Sequence, residues 1–172
     1  MVELKYCVDV SIDGYIARKD HTYDFLLPGG EHLNDFMNSF SEYETVLMGR
    51  KTYEVGLKAG VVNPDLPVRQ IVLSATLAST IDPKIEIISE DAAEVVRQLK
   101  ANSRKNILIS GGASLASSLL KNQLIEKVNL RIHPVIIGSG IPVFYNENND
   151  IRLTLESSKM YTNGVVSSWY KM

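Results

Sequence analysis

The sequence predicts an α/β fold: a mixed, mostly parallel sheet with helices on both faces, closed by a carboxy-terminal antiparallel hairpin. Three observations predict it. Short apolar runs alternate with segments of helical spacing over most of the chain. Two of those runs, in TVLMG and NILISGG, end in glycine just where a helix pattern begins. At the far end Asn163-Gly164 sits between two strand-like runs, a strong hairpin signal.

In order, LKYCVDV (4–10) reads as the first strand, and SIDGYIA turns out of it at Asp13-Gly14. DHTYDFLLPGG (20–30) is a loop. Leu33, Phe36, Met37, Phe40 and Tyr43 then recur at helical spacing, a face suited to packing on a sheet. TVLMG is a strand and KTYEVGLK starts a short helix. After a loop over 59–68, RQIVLSA and IEIIS are strands. EDAAEVVRQLKAN follows as a helix whose acidic start and basic end suit its dipole. NILISGG leads into the helix ASLASSLLKN, with Leu115, Leu119 and Leu120 turned inward. KVNLRIH is a strand stopped by His133-Pro134 and a Gly-rich loop, and the hairpin ends the chain. No repeat or linker divides residues 1–172, so one domain is expected.

A net charge of -2 offers no general field for nucleic acid or an anionic membrane, so any phosphate binding is local. No apolar segment reaches the roughly 18 residues of a bilayer span, and the amino terminus lacks a secretory pattern. A soluble, cytoplasmic protein is the expectation. The single cysteine, Cys7, reads as an apolar strand filler. His21, His32 and His133 are far apart in sequence and outside any metal motif, so no metal is expected.

Two glycine turns carry the chemistry. At Gly111 and Gly112 absent side chains allow close approach to the main chain, and the following helix offers free N–H groups. That suits a diphosphate, with Ser114 or Ser117 as further donors; a bare strand-to-helix turn is the alternative. Gly49-Arg50-Lys51-Thr52 is neither a P-loop nor a GxGxxG fingerprint. Yet Arg50 and Lys51 stand at a helix start, where cations oppose the dipole and a bound anion would offset the cost. Solvated surface cations are the alternative. Asp13 either orients a substrate or caps its turn.

Taken in order, V-x-x-S-I-D-G-Y-I-A, L-M-G-R-K-T-Y-E, I-V-L-S, I-S-G-G-A and P-V-I-I-G-S-G-I-P-V-F resemble the dihydrofolate reductase-like superfamily. Within it the chain is most similar to the reductase domain of riboflavin-biosynthesis proteins, in the stand-alone form described as RibD C-terminal-like. The resemblance implies a three-layer α/β/α sandwich that binds NADPH across the carboxyl ends of its parallel strands. It places Ile16 and Ala17 beside the nicotinamide. Gly49, Arg50, Lys51 and Thr52 meet the cofactor phosphates, Arg50 at the adenosine 2'-phosphate, with Ser74 near the same end. Gly111, Gly112, Ala113 and Ser114 hold the pyrophosphate.

The implied activity is hydride transfer to a small heterocyclic substrate, such as 5-amino-6-(5-phosphoribosylamino)uracil in riboflavin synthesis. Dihydrofolate reduction and a non-catalytic NADPH sensor are the alternatives. The substrate-side acid is expected at Asp13, within S-x-D-G-x-I-A, or at Asp35, which with Glu31 lies on the segment before MGR. A phosphoribosyl substrate calls for a second phosphate site, to which Arg18 and Lys19 could contribute. Homodimerisation is usual among similar proteins. Trp169 and Tyr170 of the hairpin could supply the interface or serve their own core.

Overall fold

The computed structural model describes residues 1–145 and 150–172. Its main sheet has eight strands in the order β5-β4-β3-β6-β1-β7-β10-β9. Six of them run parallel: β5 (Ile85–Ile88), β4 (Arg69–Leu73), β3 (Tyr43–Gly49), β6 (Asn106–Ser110), β1 (Leu4–Ser11) and β7 (Lys127–His133). The hairpin strands β10 (Val166–Lys171) and β9 (Thr154–Met160) extend the sheet antiparallel. A separate two-stranded sheet pairs β2 (Tyr15–Ala17) with β8 (Ile141–Pro142).

Helices cover both faces, as the alternation of side chains along the strands requires. On one face Leu4, Tyr6, Val8, Leu47, Ile71, Ile107 and Ile109 pack with the helices α3 (Ala92–Asn102) and α4 (Ala113–Lys121). On the other, Cys7, Val46 and Leu108 meet Phe36 and Phe40 from α1 (Glu31–Ser39) and the turn after it. The same layer holds Tyr53 and Leu57 of α2 (Arg50–Lys58) against Val72 and Ile85. The three layers are those expected. Asp91 caps α3, accepting from the N–H groups of Ala93 and Glu94 at 3.1 Å each, with Glu94 in its first turn and Lys100 in its last. The cap and charges fix this helix where the sequence put it.

One helix is shorter than its apolar spacing suggests. α1 stops at Ser39, whose hydroxyl donates to the Phe36 carbonyl at 2.7 Å. A 3-10 turn (Phe40–Glu42) follows, so Tyr43 opens β3 instead of extending a helical face, and Met37 is exposed. A register shift between Tyr43 and Thr45 brings Tyr43 and Val46 to the same layer, and sheet pairing wins over helical spacing. The predicted turn at Asn163-Gly164 is present: Gly164 has φ 89°, and Tyr161 and Val165 close the loop through the Tyr161 N–H at 2.9 Å.

Candidate functional site

The carboxyl ends of the parallel strands open into one cleft of about 760 Å³, the expected location for a ligand in a sheet of this type. Its floor is made by strand-end turns. Gly49 ends β3 and leads directly into α2, where Arg50, Lys51 and Thr52 form the first turn. Ser74 follows β4, and Ser89 and Glu90 follow β5. Gly111, Gly112, Ala113 and Ser114 follow β6 and start α4, while Ile16 and Ala17 of β2 close the opposite wall. Every residue that the sequence assigns to the cofactor therefore lines this single cleft.

The two glycine turns also touch. Gly111 and Gly112 have φ of 76° and 92°, and a Cβ on Gly112 would come within 3.0 Å of Thr52 Oγ1. A side chain here would both strain the backbone and wedge the turns apart. Neither Gly49 at the start of α2 nor Gly112 at the start of α4 supplies a side-chain cap, so both helix starts keep main-chain donors. These donors, the cations of α2 and the open glycine backbone fit a dinucleotide phosphate bridge.

The two acids expected on the substrate side are elsewhere. Asp13 braces a loop: its carboxylate accepts from the N–H groups of Ile137 and Gly138 at 3.2 and 2.7 Å. A hydrogen bond from the Ser11 side chain, and then these backbone bonds, hold it below the usual carboxylate range. Asp35 is exposed and accepts from Lys159 at 2.6 Å and Tyr161 at 2.9 Å, which lowers it as well. Neither lines the cleft. α1 presents Phe36 to the cavity and turns Asp35 outward, toward the hairpin.

Among the described residues two acids line the cleft, Glu90 after β5 and Asp9 on β1, and Asp9 is the buried one. β1 carries Lys5, Cys7, Asp9 and Ser11 on one face, and β7 sets Asn129, Arg131 and His133 beside the last three in register. Arg131 donates to both carboxylate oxygens, Nε to Oδ1 at 2.9 Å and Nη2 to Oδ2 at 2.5 Å. Its guanidinium also lies 4.1 Å from the centre of the Phe36 ring. His133 Nε2 completes the group, 2.9 Å from Asp9 Oδ1. Burial alone would raise the Asp9 carboxyl, but hydrogen bonds from His133 and Arg131, with the charge of Arg131, hold it at about 2. Asp9 is thus a fixed anion, an acceptor and not a proton donor.

This row was legible in principle. In KVNLRIH every second residue is polar, and in LKYCVDVS every second one but Cys7, although both sheet faces are covered, and buried charge in such a strand marks a site. Cys7 in the same row bonds weakly to Tyr43 Oη at 3.8 Å, and burial pushes its thiol up to about 11, so it stays a protonated filler.

The histidines are not scattered in space. His32 and His133 lie edge to face with centroids 5.3 Å apart, and potential ligand atoms of both and of Asp9 fall within 4.8 Å of one another. Their hydrogen bonds do not suit a cation. The Leu27 N–H donates to His133 Nδ1 at 3.0 Å, which leaves the ring proton on Nε2, facing Asp9. A metal at Nε2 would demand an imidazolate next to the guanidinium of Arg131. His133 orients Asp9 through their hydrogen bond, and His32 packs edge to face on His133 while its Nδ1 meets Asn163.

Comparison with known proteins agrees with this architecture. The family model described as RibD C-terminal domain matches residues 3–167. The chain belongs to the RibD C-terminal domain family. Two relatives from Bacillus subtilis (strain 168), both uncharacterized, match it over most of their length. YwjB is 32% identical over 92% of this chain and 91% of its own. YyaP is 29% identical over 94% and 90%. Among solved structures, a Shewanella sp. PV-4 protein assigned provisionally to riboflavin biosynthesis superposes with a TM-score of 0.85 at 20% identity, covering 99% of this chain and 98% of its own. A pyrimidine reductase-like protein from Corynebacterium diphtheriae gives 0.69 at 19%, covering 99% and 91%. The Thermotoga maritima deaminase/5-amino-6-(5-phosphoribosylamino)uracil reductase gives 0.75 at 16%, with 99% of this chain matched to 56% of that one. At these identities the structures establish the shared fold alone.

Proposed function

We propose that the protein is an NADPH-dependent reductase that delivers a hydride to a small heterocyclic compound. The observation that carries this reading is the meeting of the turns at Gly49–Thr52 and Gly111–Ser114 in one cleft. The first turn is cationic and the second is bare main chain at a helix start, a complementary pair for the phosphates of a dinucleotide. Arg50 and Lys51 would meet the adenosine phosphate, with Ser74 alongside. Gly111, Gly112, Ala113 and Ser114 would hold the pyrophosphate, and Ile16 and Ala17 would lie against the nicotinamide.

When bound, NADPH supplies the hydride. The chain's part is position and electrostatics. Ile16, Ala17, Leu26 and Phe36 line an apolar end that excludes water from the reacting carbon. Asp9, held rigid by Arg131 and His133, orients the acceptor by hydrogen bonding, and because it stays ionised the product proton comes from another source. Dihydrofolate reduction loses its motivating feature, since Asp35 is turned away from the cleft.

Calorimetry with NADPH, followed by loss of reduced-nicotinamide absorbance on adding candidate pyrimidines, tests the reading. Saturable NADPH uptake and turnover of a heterocycle are expected. No uptake would remove the reading, and uptake without any turnover would favour a sensor.

A further inference from the structure

We propose that the substrate end of this cleft recognises an unphosphorylated, uncharged planar ring through one cyclic amide edge, an N–H next to a C=O. This inference rests on the reductase reading for the identity of the acceptor site but not for its recognition chemistry. The hydrogen-bond inventory leads to it. Ionised Asp9 has about four acceptor positions, of which Arg131 Nε, Arg131 Nη2 and His133 Nε2 occupy three. Arg131 has five N–H donors and commits two of them to Asp9. Both residues line the cleft, so an acceptor and several donors face the ligand side by side. A ring N–H to Asp9 Oδ2 and the adjacent carbonyl to Arg131 Nη1 satisfy both.

Charge decides what else the ligand carries. Asp9 and Arg131 neutralise each other, and His133 is held as its neutral tautomer by the Leu27 N–H. The other cleft cations are Arg50 and Lys51 on α2, at the end assigned to the cofactor. Apart from Arg131, these two are the Lys and Arg of the described cleft lining, which also holds the apolar Cys7, Ile16, Leu26 and Phe36. Arg18 and Lys19, the residues expected to serve a second phosphate, are outside the lining. Arg18 is instead held by Asp24 at 2.6 Å and lies over the Phe25 ring. A phosphoribosyl group would bring two negative charges next to the Asp9 carboxylate with no counter-charge left to meet them. An apolar wall with Phe36 favours a bare ring instead.

The test is a calorimetric titration of the protein, alone and loaded with NADPH, with 5,6-diaminouracil and with 5-amino-6-(5-phosphoribosylamino)uracil. The expected result is binding of the bare ring at least tenfold tighter than of the phosphoribosyl compound. Asp9→Asn is expected to lose tenfold or more in ring affinity while its NADPH affinity stays near that of the wild type, both read well below the lowered melting temperature that the broken Asp9–Arg131 pair brings. Arg131→Lys, which keeps the charge but not the planar fork, should show the same selective loss. Equal or tighter binding of the phosphoribosyl compound overturns the proposal. So does ring binding indifferent to both substitutions, or no ring binding to the NADPH-loaded protein. Ring binding with these preferences in a protein that takes no NADPH would instead uphold this inference and remove the reductase reading.

Discussion

Arg50 and Arg131 are both arginines of the cleft, yet their removal has different consequences. Arg50 is surface-placed and among the described residues pairs with Glu54 alone, one turn on, at 3.1 Å. A pair of this kind contributes little to stability, so Arg50→Ala should leave the melting temperature nearly unchanged. If Arg50 meets the adenosine 2'-phosphate, the variant loses a charge-assisted hydrogen bond of about 1.5–3 kcal/mol. NADPH should then weaken roughly tenfold or more while NADH barely changes. Equal small losses for the two cofactors, measured by calorimetry, would refute that contact. Arg131 is buried with Asp9, its side chain 6% exposed. Arg131→Met leaves a carboxylate uncompensated inside the protein, and breaking such a pair costs about 3–5 kcal/mol. A urea midpoint close to the wild-type value would show that the Asp9 site hydrates freely. The sequence pointed to Arg50 because GRK is a contiguous motif. It hid the Asp9–Arg131 pair because the partners are 122 positions apart and only strand register joins them.

At the scale of elements, two predictions separate local strain from buried charge. Gly112 starts α4 with φ 92° and leaves no room beside Thr52 Oγ1. Gly112→Ala should cost about 1–3 kcal/mol and open the two turns, lowering NADPH affinity at least tenfold. Retained affinity would mean that the turns can part without loss of the binding site. α1 carries a different liability. His32 is fully buried, with Asn163 Nδ2 3.1 Å from Nδ1 and Nε2 without a partner among the described residues. His133, Asp9 and Arg131 from the sheet and Tyr161 from the hairpin loop surround it. Burial, with the nearby His133, holds His32 below the usual imidazole range although Asp9 opposes this. Its folded pKa lies below the unfolded value of about 6.5, so the folded state binds fewer protons. The stability it contributes is complete above about pH 6.5 and is lost as pH falls through that value toward the folded pKa. Melting curves between about pH 7.5 and 5.5 should fall for the wild type and flatten in His32→Asn; parallel curves would exclude His32 as the cause. The sequence placed this helix but misjudged its buried face, because Leu33, Phe36 and Met37 outweighed one histidine in the apolar pattern.

Across the whole molecule, the succession of strands and helices along the chain and the cleft were readable because glycines and helix starts mark the carboxyl edge of a parallel sheet. The outer surface was less so. Trp169 and Tyr170 were open to an interface or to their own core, and β10 lies inside the sheet. Trp169 packs on the core of its own chain, with Lys5 Nζ 5.4 Å above its ring. The exposed apolar surface moves outward to β9, every residue of which is exposed. A bulge opposite Trp169/Tyr170 resets the pairing, so Leu155, Ser158 and Met160 stand opposite Tyr170, Ser168 and Val166 on one face. That face continues through Val128, Leu130 and Ile132 of β7, and it becomes more open toward the edge, where Leu155 is 55% and Met160 81% exposed. α3 and α4 cover the same side farther in, and no later helix follows among the described residues to cover the hairpin. An open apolar sheet face beside an unpaired edge strand is a surface that self-association would bury. A second copy is therefore the expected cover, giving a homodimer of twice 19.1 kDa by light scattering. Leu155→Lys with Met160→Lys should convert it to the monomer while NADPH affinity is retained, since neither residue lines the cleft. A wild-type mass of 19.1 kDa at micromolar concentration would leave the strip to solvent and end the dimer expectation.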